Sequence, residues 1–141
     1  GWWPLLLAVI AGGASVALGL SGSAKYGQLG GAIAAAAGVW WLLSLVWEPA
    51  RAGSGSGAIP AFLLGGLCAA GHLFAEMPLS SLVLVTVSPI AAELGGLIAA
   101  GWRKRWAAAL LELGLAGLFV ALAVLPPLIA TLTTQASDSY Y

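Results

Sequence analysis

The chain has 141 residues, 61% of them hydrophobic and 7% charged, with five basic and five acidic side chains and no formal net charge. A water-soluble domain of this size cannot cover so much apolar side chain with polar surface, so that class is excluded and an integral membrane protein is expected. The balanced charge leaves no basic surface for nucleic acid, and at about 20 apolar residues per helical span the length accommodates about five spans as one transmembrane domain over 1–141.

Trp2–Leu20 is the first apolar segment, and since no basic stretch precedes it, it is read as a retained span rather than a cleaved leader. The polar, Gly/Ser-rich SGSAKYGQ follows and is expected to be a loop, leaving Leu29–Trp47 as the second span. Glu48-Pro49 stops that helix, ARAGSGSG reads as a flexible linker, and Pro60 suits the start of a third span over Ala58–Glu76. Met77-Pro78 is the shortest break. Proline blocks one helix and can open the next, so Leu79–Trp102 should fold back as a tight antiparallel hairpin; if Pro78 only kinks a single long helix, the count falls to four and the later topology inverts. Arg103-Lys104-Arg105 cannot lie in hydrocarbon, and between Trp102 and Trp106 it forms an interfacial turn before the fifth span, Trp106–Leu125. The expected fold class is therefore all-α, a polytopic transmembrane helical bundle of about five spans.

With five spans, the N-terminus, Arg51 and the Arg103-Lys104-Arg105 anchor share one face and only Lys25 lies opposite, so the positive-inside rule makes the first face cytoplasmic. The C-terminal TQASDSYY, which carries Asp138, then lies outside. Inside lipid, helices associate through close backbone approach more than through hydrophobic drive, so rows of small residues mark packing faces. Gly13/Ala17/Ser21, Gly30/Ala34/Gly38, Gly66/Ala70, Gly96/Ala100 and Gly117/Ala121 form such rows, with Gly27/Gly31 as a further pair. In a chain this rich in glycine and alanine a single row is weak evidence. Together they suit a compact bundle or docking to another membrane subunit.

Few residues offer chemistry. Glu93 lies well inside the fourth span and Glu112 about two turns into the fifth. At about 1.5 Å per residue both fall in the cytoplasmic half, where a facing pair would share a proton rather than ionise twice. An intramembrane carboxylate is a candidate site by default; the structural alternatives are a packing role for Glu93 and a pairing of Glu112 with Arg103 or Arg105. His72 and Glu76 share a helix face at the outer end of the third span. With no second histidine they are half a metal site, so no metal is assigned. A pigment or haem with one axial ligand at His72 stays open, because Cys68, Ala69 and Gly71 keep that side slim; a plain His72–Glu76 hydrogen bond is the alternative. Cys68 is the single cysteine and lies in an apolar run, so it cannot form an intramolecular disulfide. Pro89 frees a carbonyl near Val85, and a helix unwound at Ser88-Pro89 would offer an ion site of the kind transporters use. No GxSxG, HExxH or phosphate-binding GxxxxGK[ST] occurs, so no catalytic residue is assigned.

ELGGLIAAGWRKRWAAALLE, Glu93 to Glu112, resembles the Glu-Gly-Gly helix, short turn and Ala/Leu-rich helix of small DoxX-like membrane proteins. It covers under a fifth of the chain and sits late in the order of spans, and membership of that family is not assigned from it. The function expected from these features is that of a non-catalytic accessory or assembly subunit, held in the lipid bilayer beside other membrane subunits or further copies of itself. The alternatives are a small proton-coupled transporter or channel using Glu93 with Glu112 or His72/Glu76, and tetrapyrrole binding through His72.

Overall fold

The computed structural model describes residues 2–48, 58–74, 76–99 and 105–138, and side chains over 2–48, 62–74, 76–98 and 106–135. These residues form five helices in chain order: α1 (Trp3–Leu20), α2 (Ala24–Val46), α3 (Ala58–Phe74), α4 (Leu79–Ala99) and α5 (Arg105–Asp138). The Arg51 loop, Ala100, Trp102, Arg103 and Lys104 lie outside the described residues, as does the side chain of Arg105, whose backbone opens α5.

The first helix is the axis of the bundle. A helix that is apolar all round is at home in an interior, and α1 packs against each of the other four. Ile10, Ala14, Ala17 and Leu18 are wholly buried there. Pro4 occupies the first turn of α1, where a missing N–H removes no intrahelical bond. The second helix lies along α1, α4 and α5 pair with each other, and α3 is the outermost element, with Phe62 84% exposed.

Two short reversals set the order. Between α1 and α2, Gly22 takes a φ of 94°, a left-handed conformation that glycine adopts without cost. Between α3 and α4 the reversal falls on Glu76, at φ 53° the one non-glycine residue with positive φ among those described. There the Met77 N–H donates to the Gly71 carbonyl at 3.3 Å. Pro78 thus separates two helices rather than kinking one.

Among the described residues, four helical stretches are long and apolar enough to cross a membrane: Trp3–Leu20, Ala24–Val46, Leu79–Ile98 and Trp106–Gln135. This is consistent with an integral membrane protein. At about 1.5 Å per residue, the 17 residues of α3 extend roughly 25 Å, a little short of the ~30 Å hydrocarbon core.

Two boundaries differ from the sequence-based expectation. The second helix starts at Ala24, so most of SGSAKYGQ is helical. The reason is packing: Gly27 and Gly30 sit against the backbone of α1, which favours helix over the polar composition of the segment. The fifth helix runs on through Pro126 and Pro127 to Asp138 instead of ending at Leu125. One carbonyl freed by the prolines, that of Ala123, accepts a hydrogen bond from Ser81 of α4 at 2.6 Å. Beyond it, Thr131, Thr133 and Thr134 bond back to carbonyls of their own helix.

Candidate functional site

Glycine brings the two carboxylates, Glu93 and Glu112, to one place. Gly95 and Gly96 remove side chains from the α4 face toward α5, so the two helices approach closely. A Cβ on Gly96 would lie 2.7 Å from Glu112 Oε1, and one on Gly95 would lie 3.5 Å from Glu112 Cα. The Glu112 carboxyl therefore rests over Gly96. Glu93, three residues earlier on α4, lines the same cavity. The first turn of α1 closes the third side, so that Trp2, Trp3, Leu6 and Ala92 complete the lining of a space of about 230 Å³. Glu93 is exposed and Glu112 half-buried. Trp2 also packs on Trp41 of α2, with ring centroids 6.4 Å apart and planes tilted by 31°, which ties the start of α1 to the end of α2.

His72 has a different partner from Glu76. Its Nδ1 lies 2.7 Å from the Met77 carbonyl; a carbonyl only accepts, so Nδ1 carries the proton and donates. The histidine closes the α3–α4 reversal, while Glu76 is exposed. Of the residues that keep that side slim, Gly71 and Cys68 are packed, since a Cβ on Gly71 would run into Leu18 Cδ2 and Cys68 is 1% exposed within the core, while Ala69 is exposed. A flat macrocycle has no room against Gly71. Among the described residues, no three metal-ligating side chains come together.

The α4 helix is continuous through Pro89. Ser88, fully buried, donates its hydroxyl to the Val85 carbonyl at 2.7 Å, the acceptor that Pro89 leaves without its N–H. The oxygen that a broken-helix ion site would offer is thus already used.

The small residues divide into two groups. Gly30 sits against Ser15, Gly13 against Val120 and Gly96 against Glu112, and Ala34 packs on the core. Among the described residues nothing lies within 4 Å of a Cβ added at Gly38, Gly66 or Gly117, so these positions make no close helix contact there. Ala70 is half-buried. Sequence reasoning missed a recess of about 460 Å³ at the opposite end, of mixed lining, where Glu76, Thr131, Thr134 and Gln135 stand beside Leu20 and Pro127. It exists because α5 continues past Pro127. The signal for it was the helical 3–4 spacing of Thr131, Thr134 and Gln135.

No family model, curated protein or solved structure matches the chain.

Proposed function

We propose that the chain is a non-catalytic accessory subunit of a larger membrane complex, docked on a partner's transmembrane helix through a groove between α2 and α3. The observation that supports this reading is the groove itself: about 620 Å³, almost wholly apolar, with Ala32, Ala36 and Gly66 among residues such as Leu29 and Phe62. Small residues facing lipid gain little, whereas against another helix they permit the close approach that drives association in membranes. Gly66 has that open space. The apolar lining suits a hydrophobic helix and disfavours a polar partner.

In native mass spectrometry of protein gently released from its membrane, the chain is expected to emerge with other subunits. Gly66→Leu should abolish that assembly with helical content and thermal transition unchanged. Gly114→Leu, on α5 and equally open, should leave it intact. A wild-type chain released alone, or assembly indifferent to Gly66→Leu, rejects the reading.

The proposed orientation places the starts of α1, α3 and α5 in the cytoplasm and the C-terminus outside, with α3 crossing as a slightly short span. The balance of four Lys/Arg against Lys25 supports it. A Ser21→Cys variant should react with an impermeant maleimide added from outside, with little background because Cys68 is buried. Labelling only from the cytoplasmic side would invert the topology.

A further inference from the structure

The cavity between α1, α4 and α5 has a lining whose parts together select a ligand class. Two carboxylates, Glu93 and Glu112, and two indoles, Trp2 and Trp3, make up most of it, with Leu6 and Ala92 as the aliphatic remainder. Among the described residues, no Lys, Arg or His lines the cavity. The two carboxylates disfavour an anion. A neutral apolar molecule would desolvate two carboxylates and return nothing to them. A bare metal ion lacks a third ligating side chain among the described residues and draws no benefit from Leu6 and Ala92. An alkylated ammonium ion uses every part: its charge faces the carboxylates, its methyl groups meet Leu6 and Ala92, and its diffuse positive surface suits the electron-rich face of an indole.

Size narrows the class. Pockets for drug-sized ligands measure about 300–1,000 Å³, and this one is about 230 Å³, so the ligand is a compact cation. Access is available, because Glu93 is exposed and Trp2 is 46% exposed at the mouth. We propose that the Trp2/Trp3/Glu93/Glu112 cavity binds a small quaternary ammonium group, of the trimethylammonium type carried by free choline and by phosphatidylcholine headgroups. Binding here is independent of the accessory role, whose groove lies between α2 and α3.

The test uses the full chain in a detergent without choline headgroups, titrated with tetramethylammonium chloride and followed through the ligand's methyl NMR signal, with sodium chloride at equal ionic strength as the control. Saturable binding is expected, weakened about tenfold or more in Glu93→Gln and in Trp2→Leu. Both positions are exposed, so the fold should persist, and circular dichroism checks that it does. Absence of saturable binding, or affinity unchanged in Glu93→Gln, overturns the proposal. Nanodiscs then distinguish the source. If phosphatidylcholine discs suppress tetramethylammonium binding and phosphatidylglycerol discs do not, the lipid headgroup occupies the site; binding in both assigns it to a free cation.

Discussion

Replacing Gly27 with leucine is expected to separate α2 from α1 and to loosen the whole bundle. A Cβ at Gly27 would lie 3.1 Å from Gly19 Cα, 3.2 Å from Gly19 N and 3.2 Å from the Ser15 carbonyl oxygen. All three are backbone atoms, so no rotamer change can make room. One turn on, a Cβ at Gly30 would lie 3.0 Å from Ser15 Cα, so the close approach runs along the interface. The Ser15 hydroxyl, which donates to the Gly27 carbonyl, would lose its partner as well. Overpacking a yielding core costs about 1–3 kcal/mol; here a helix must shift, and a cost at or above the top of that range is a large part of a total stability of about 5–15 kcal/mol. Because α1 touches every other helix, its displacement would open the packing around Ala14, Ala17 and Leu18. Thermal unfolding in detergent should show far-ultraviolet helicity retained and the near-ultraviolet tryptophan signal and cooperative transition lost. A Gly27→Leu protein that melts like the wild type would contradict the close approach.

Much of the architecture was legible because the apolar runs are long and the breaks between them conspicuous. The apolar runs, the glycine-serine linker and Pro78 divided the chain into the five helices observed. What was not legible depended on contacts between distant parts. SGSAKYGQ has the composition of a loop, and only Gly19 and Ser15 on the neighbouring helix explain why its later part is helical. Pro126 and Pro127 look like a helix stop, and only Ser81, 42 residues before Ala123 in sequence, supplies one of the missing donors. At the site, helical counting places Glu93 and Glu112 at one end of their helices. That α1 brings Trp2 and Trp3 to the same cavity follows from its central position, which composition cannot reveal. For His72, an (i, i+4) spacing suggested Glu76, yet the reversal at Glu76 turns the chain back and presents the Met77 carbonyl first.

Ser81 and Pro127 should behave as one unit. Pro127 has no N–H to give the Ala123 carbonyl four residues earlier, and the Ser81 hydroxyl donates to it across the α4–α5 interface at 2.6 Å. Ser81 is fully buried, so no water replaces it. Ser81→Ala is therefore expected to leave a buried acceptor unpaired, a loss of about 1–3 kcal/mol in proteins generally, though interhelical hydrogen bonds in one membrane protein average about 0.6 and reach about 1.7 kcal/mol. A cost of about 1–2 kcal/mol is the consistent expectation, read from reversible unfolding in mixed micelles. Pro127→Ala tests the cause. It restores an N–H to the helix, so the Ala123 carbonyl no longer depends on Ser81, and Ser81→Ala in that background should cost about 1 kcal/mol less than in the wild type. Strictly additive effects would mean that the hydroxyl matters only for its volume. The pair also bears on the far recess: α5 carries Thr131, Thr134 and Gln135 to Glu76 only if it stays helical beyond Pro127. Losing the Ser81 bond should therefore quicken amide exchange after Pro127 before it affects the Glu93 end.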